Sequence, residues 1–240
     1  MITFLNISML VDAHCHLDSI KEYKLSDEVL PVTVGYSHSS NIKTLEIAKR
    51  LRIPFVLGIS PQAAQKEGLV KLDEWTEWIK NTRPNAIGEI GLDYHWAKNE
   101  EDRKRQHTTF KKMLDLAEEM KLPIVIHARE TISEILDILK ERKFQHGIMM
   151  HFFSGNEREA KRAVELGSYI SIVPLHSKER RKVINAIELE YLLVETDAPA
   201  IVRLPEDVKK SVEYISEVKE LDFGTVATQT AKNAKKFFRI

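Results

Sequence analysis

Val11-Asp12-Ala13-His14-Cys15-His16-Leu17-Asp18 sets two histidines two residues apart, just after a short apolar segment that runs from Ile7 to Val11. In an extended strand, residues i and i+2 point to the same side. His14 and His16 therefore aim two imidazoles at one point, as a metal site requires of its ligands. A His-x-His pair also occurs by chance on surface strands, so its meaning depends on what the rest of the chain places at strand ends.

Four further stretches repeat the arrangement of an apolar run followed by a metal-binding residue type. Asn85-Ala86-Ile87-Gly88-Glu89-Ile90-Gly91-Leu92-Asp93-Tyr94 offers a carboxylate between glycines. Leu122-Pro123-Ile124-Val125-Ile126-His127-Ala128-Arg129 and Gly147-Ile148-Met149-Met150-His151-Phe152-Phe153-Ser154-Gly155 each end an apolar run on a histidine. Tyr191-Leu192-Leu193-Val194-Glu195-Thr196-Asp197-Ala198-Pro199 ends on two acids. Short apolar runs of this kind read as buried parallel strands. Polar ligand types at the C-terminal tips of such strands are the layout of a TIM-barrel active site.

The organisation of the whole chain agrees. Strands are expected at 9–12, 31–35, 55–58, 86–88, 124–127, 148–151, 169–173 and 192–195. Between them, a 3.6-residue period predicts helices at 40–51, 69–82, 101–120, 131–143, 157–166 and 178–186. In the long helix, Phe110, Met113, Leu114 and Ala117 share one face, and Asn156 is placed to cap the helix that follows it. Two more helices follow Pro199, at 205–219 and 223–238. The expected fold is α/β: a (β/α)8 TIM barrel, a single domain over 1–240, with extra C-terminal helices. No internal repeat, low-complexity tract or linker divides it.

Length fits one large domain, and a hydrophobic content of 43% supplies an ordinary core. Lysine plus arginine equals aspartate plus glutamate at 36 each, which gives no support to a strongly basic nucleic-acid surface. A local basic patch is compatible with that balance. Cys15 is the single cysteine, so there is no intrachain disulfide and no cysteine zinc knuckle. Lying between the two histidines, it should point away from them as a small packed residue. The stretch 1–9 lacks a basic region and a long apolar core, and no run reaches membrane-spanning length. The expectation is a soluble cytoplasmic protein without membrane contact, with Met9 as a conceivable second start. Oligomeric state is open, a monomer included.

Taken together and in order, Asp-Ala-His-Cys-His-Leu-Asp (12–18), Gly-Glu-Ile-Gly-Leu-Asp-Tyr (88–94), Pro-Ile-Val-Ile-His-Ala-Arg (123–129), His-Phe-Phe-Ser-Gly (151–155) and Glu-Thr-Asp-Ala-Pro (195–199) resemble the TatD family of metal-dependent deoxyribonucleases and hydrolases, within the amidohydrolase-like TIM barrels. Arg105, Gln106 and Phe110 also match. The resemblance covers essentially the whole chain. It implies two divalent metal ions. His14, His16, Glu89 and Asp197 would surround one, and Glu89, His127 and His151 the other, with Glu89 bridging. Six nitrogen and oxygen ligands without sulfur suit zinc, magnesium or manganese. A two-metal clamp suits phosphodiester displacement. Asp197 is the candidate general base, with Glu89 as its catalytic partner.

The implied function is hydrolysis of DNA phosphodiester bonds by water activated at the metal centre, from strand ends, because a deep barrel mouth admits a terminus more readily than the middle of a duplex. The partner would be DNA or a nucleotide. The chain departs from the family at two places. Where the family commonly has Gly-Ile-His-Pro-His, this chain has Gly58-Ile59-Ser60-Pro61-Gln62, and the basic segment that usually follows Glu-Thr-Asp-Ala-Pro is replaced by Ala200-Ile201-Val202-Arg203-Leu204-Pro205. Both changes fall where substrate would be held, which keeps open another ester, such as aminoacyl-tRNA, or a binding protein with a vestigial metal site. Arg129, Arg203 and Tyr94 are the candidate substrate contacts. For Arg129 a salt bridge at the barrel mouth is an equal alternative. Glu195 and Asp12 read as acids that orient ligands, and Asp93 either does the same or approaches substrate. His95 and Trp96 either stack on a base or pack the loop. His38 and His176 are rim candidates, His107 and His146 surface residues, and Trp75 and Trp78 helix packing.

Overall fold

The computed structural model describes residues 9–67 and 69–240. Ile7 of the first apolar segment, and the leader reading of 1–9 apart from Met9, lie outside the described residues. Strands and helices alternate: β1 (Leu10–Cys15), β2 (Val29–Val34), α1 (His38–Leu51), β3 (Phe55–Leu57), α2 (Pro61–Glu67), α3 (Leu72–Thr82), β4 (Ala86–Asp93), α4 (Glu100–Met120), β5 (Ile124–Arg129), α5 (Ile132–Arg142), β6 (Ile148–Met150), α6 (Glu157–Glu165), β7 (Ser168–Ile172), α7 (Lys178–Ala186), β8 (Leu192–Val194), α8 (Val208–Lys219) and α9 (Phe223–Phe238). The eight strands form one sheet in the order β1 to β8, each parallel to its neighbour. The first and last strands meet through a Cys15–Ala198 bridge. There His16 N–H donates to Ala198 O at 2.7 Å and Asp197 N–H donates to His14 O at 2.9 Å. The result is a (β/α)8 barrel.

Adjacent residues along the strands divide between two apolar clusters. Leu57, Ile87, Ile124, Ile126, Ile148, Met150, Leu192 and Val194 pack with the helices. Their neighbours Val56, Ala86, Val125, Met149 and Leu193 join Val11, Ala13, Val32 and Val34 with Phe237 and Phe238 of α9. Alternation of this kind marks the two faces of one sheet. The end of α9 reaches the N-terminal rim of the strands, where Asn85 Nδ2 donates to Phe238 O at 3.2 Å. It therefore closes the floor of the barrel and leaves the opposite end open.

Helix starts follow their caps. Ser37, Asn99, Ser177 and Asp222 each accept the backbone N–H three residues on, and Asn156 forms a full capping box with Glu159. Four differences from the sequence reading have local causes. β1 extends to Cys15 and β4 to Asp93, because the pairing continues past the first polar residue of each run. α2 was not expected; Pro61 starts it and Ser60 Oγ accepts Ala63 N–H at 3.2 Å. The helix expected from 69 begins at Leu72. The stretch expected as a helix from 205 opens with a 3-10 turn at Pro205–Asp207 before α8. Gly91 has φ of 146° and sits opposite His127 in the β4–β5 ladder; a Cβ there would lie 1.9 Å from His127 O. Only glycine allows the two ligand-bearing strands to approach this closely.

Candidate metal centre

All six candidate ligands converge at the open end. Three overlapping groups, His14–His16–Glu89, His14–His151–Asp197 and Glu89–His127–His151, each bring their donor atoms within 4.8 Å of one another. His14 Nε2 lies 3.2 Å from His16 Nε2. Glu89 Oε2 is 3.8 Å from both of these nitrogens, and its Oε1 is 2.7 Å from His127 Nδ1. Asp197 Oδ1 is 3.4 Å from His16 Nε2, 3.9 Å from His14 Nε2 and 4.0 Å from His151 Nε2. Asp197 adopts φ of 49°, a left-handed conformation. Its N–H is held by His14 O, and its own carbonyl accepts Ala200 and Ile201 N–H, so the turn is fixed from both sides.

A second set of buried groups sets the rings. Asp93 Oδ2 accepts from His127 Nε2 at 2.8 Å, which turns Nδ1 toward Glu89. Glu195 meets His151 Nδ1 and leaves Nε2 for the centre. Asp12 accepts Thr196 N–H at 2.8 Å and Thr196 Oγ1–H at 2.5 Å, joining β1 to the segment that carries Asp197. Ligand histidines are characteristically oriented in this way by the partner of their other nitrogen. Cys15 is buried, with Sγ 3.6 Å from Val32 O, and burial pushes its thiol well above the usual range.

Charge is distributed unevenly. Burial disfavours a charged His16, but its hydrogen bond with Asp197 and the charges of Glu89 and Asp197 outweigh this and raise it to about 9. Burial likewise opposes charge on His127, and its bonds to Asp93 and Glu89 raise it to about 10. Glu89 is pushed up by burial and pulled down further by His127, ending at about 2. His14 goes the other way: burial, then the neighbouring imidazoles His151, His16 and His127, hold it well below the ordinary value.

The donor set fits divalent metal. Ligands about 2.0–2.2 Å from one ion stand roughly 3–3.5 Å apart. The His14–His16 nitrogen separation of 3.2 Å and the His16–Asp197 separation of 3.4 Å match that shell. Two imidazole nitrogens face each other at contact distance, an arrangement that a shared cation satisfies.

Five of the six candidate ligands, all but the fully buried His14, line a cavity of about 540 Å³ together with Tyr36, Ser60, Gln62, Arg129, Phe152 and Ala200, among others. Arg129 is exposed, and its side chain makes no hydrogen bond or ion pair with any described residue. Tyr94 and Arg203 are not among the lining residues. The Tyr94 hydroxyl is 2.8 Å from His107 Nε2 and 3.0 Å from Glu134 Oε1, with Arg103 over its ring, so the ring is held between α4 and α5. His107, expected as a plain surface residue, is thus bonded to Tyr94 and Glu134. Tyr36, edge-on to His16 at 5.3 Å, was not singled out in the sequence; its one signal is that it follows Gly35 at a strand tip. Trp96 is 55% exposed, and His38 stacks on Trp75. Among the described residues, no helix is long and apolar enough to cross a membrane.

Comparison with known proteins agrees with the fold and with a metal-dependent hydrolase. The sequence profile of the family described as TatD related DNase matches residues 11–239. An uncharacterized metal-dependent hydrolase of Methanocaldococcus jannaschii is 36% identical, with 95% of this chain and 96% of that protein covered. A human protein named deoxyribonuclease TATDN3 is 28% identical over 95% of this chain and 94% of its own length. The crystal structure of a TatD homologue from Escherichia coli K12 superposes with a TM-score of 0.84 at 24% identity, covering 98% of this chain and 99% of that one, a likeness of fold. From profile, relatives and barrel together, the chain belongs to the TatD family of metal-dependent hydrolases.

Proposed function

We propose that this protein hydrolyses phosphodiester bonds of DNA, from an exposed strand end, with two divalent ions (zinc, magnesium or manganese) and in the cytoplasm. The observation that carries this reading is the overlap of three donor groups at the foot of a cavity whose wall holds an unpaired arginine. When bound, a pair of divalent ions supplies a nucleophilic water at neutral pH and offsets the charge of the phosphodiester.

His14, His16, Glu89 and Asp197 would hold one ion, and Glu89, His127 and His151 the second. Glu89 has one oxygen toward His127 and the other toward His14 and His16, which suits a bridge and leaves it little freedom to take a proton. Asp197 directs Oδ1 toward the histidines and is the group assigned to accept the proton of the attacking water. Arg129 is assigned to a phosphate oxygen, where a guanidinium forms its strongest hydrogen bonds. The cytoplasmic reading draws on a single buried free cysteine and no disulfide.

The test is a panel of metal-reconstituted assays on linear single-stranded DNA, circular single-stranded DNA and aminoacyl-tRNA. Degradation of the linear strand with the circle spared is expected. The neutral Ser60 and Gln62 in the cavity wall favour the aminoacyl ester as the second reading, and hydrolysis of aminoacyl-tRNA with both DNAs intact would put it first. A vestigial binding site predicts no turnover of any of the three. The complete donor set argues against it.

A further inference from the structure

Gln62 and Ser60 line the cavity at the start of α2. Gln62 Nε2 donates to Asp93 Oδ2 at 2.9 Å, the same oxygen that meets His127 Nε2 at 2.8 Å. Asp93 Oδ1 accepts Trp96 N–H at 3.2 Å. A carboxylate in this role only accepts, so the Gln62 amide has one orientation: one N–H of its NH2 goes to Asp93, and its carbonyl Oε1 is an acceptor without a partner. Oε1 makes no hydrogen bond with any described residue. Beside it, Ser60 Oγ accepts Ala63 N–H and keeps its own O–H to donate.

The opposite charge character stands on another wall. Arg129, at the end of β5, is the only lysine or arginine among the lining residues, whereas Gln62 follows β3. One wall can therefore take an anion. The other presents the unpaired Gln62 carbonyl oxygen near the fully buried Asp93 carboxylate, and at that atom an O–H or N–H is favoured over a phosphate oxygen.

We propose that Gln62 is a specificity-determining residue that accepts a hydrogen bond from a neutral sugar hydroxyl of the substrate, so that the protein acts on hydroxyl-terminated strand ends and discriminates against phosphate-terminated ones. This rests on the phosphodiesterase reading given above.

The test compares thymidylyl-thymidine with the same dinucleotide phosphorylated at its 5′ or its 3′ hydroxyl, using the metal-reconstituted full chain. The readout is the ratio of kcat/KM between substrates on one preparation. Any uniform loss of metal or of folded protein cancels from that ratio. The parent protein should favour the unphosphorylated dinucleotide over at least one phosphorylated form by about tenfold or more, the scale of one misplaced hydrogen bond. Gln62→His should reduce that ratio to within about threefold, and Gln62→Leu should reduce it likewise by removing the acceptor. Equal rates on all three substrates by the parent, or an unchanged ratio in both variants, would overturn the inference alone. Failure to cleave any of the three would overturn the phosphodiesterase reading, and the inference with it.

Discussion

Glu195 Oε2 lies 3.1 Å from His151 Nδ1, while Glu195 Oε1 accepts Phe152 N–H at 2.6 Å, so one fully buried acid fixes both a ligand ring and the backbone beside it. Phe152 has φ of 43°, a conformation that persists only where its surroundings enforce it. Glu195→Ala leaves the imidazole and the N–H without this partner. It should cost about 2–4 kcal/mol of stability, read from the urea midpoint of the metal-free protein. A midpoint equal to that of the parent would show that Glu195 carries no such burden.

Asp197→Asn keeps the shape of the side chain and removes its basicity. Turnover should fall by about two to four orders of magnitude, the range for loss of a general base, with the protein folded and at least one metal retained. Turnover and metal content are measured on the same preparation. A variant with normal metal and near-parental turnover would transfer the role to another group.

The Arg129 side chain is exposed and without a protein partner, so its loss should leave the fold untouched. Arg129→Ala is expected to raise KM for single-stranded DNA about tenfold while kcat and Tm hold. A fall in Tm of several degrees would point instead to a structural salt bridge.

In the metal-free protein His127 is raised to about 10 and His16 to about 9 from a common starting value of 6.5. A base raised on folding stabilises fully below its unfolded value, and that contribution is lost as pH climbs through the folded value. The metal-free protein should therefore lose stability between pH 6.5 and 10. Glu89, lowered to about 2 from 4.5, loses its contribution only on the acid side of that range, as does the depressed His14. Because metal must displace the same protons, affinity for divalent metal should rise over the same interval. Urea midpoints and metal titrations at pH 7 and 9 check both signs; a flat metal-free profile would contradict the assignment.

The eight strands and the convergence of the six candidate ligands were legible because each of the six follows an apolar run, and burial makes such runs conspicuous. What escaped was set by contacts across the chain. Tyr94 reads as a cavity residue from its place after Asp93, yet partners on α4 and α5 hold it elsewhere. The orientation of Gln62 depends on its bond to Asp93, in a different strand segment. The short helix α2 has too few turns to show a period, and only Ser60-Pro61 hints at its start. Glu89 was placed after its strand because an apolar run is counted until the first acid, whereas backbone pairing continues to Asp93.

The closure of the barrel adds a consequence for the behaviour of the empty and filled protein. The two backbone bonds that join β1 to the segment after β8 run from His16 to Ala198 and from Asp197 to His14, so three of the four residues are candidate ligands. An ion held between these side chains would rivet together two edges from opposite ends of the sequence, much as a crosslink closes a long loop. Chelation should therefore let the cylinder loosen at this edge first, toward an open ribbon, before any interior strand pair yields. Hydrogen exchange at the His16 and Asp197 amides becomes a gauge of occupancy: slow in the loaded protein, faster after metal is stripped, while amides in the β5–β6 ladder keep their protection.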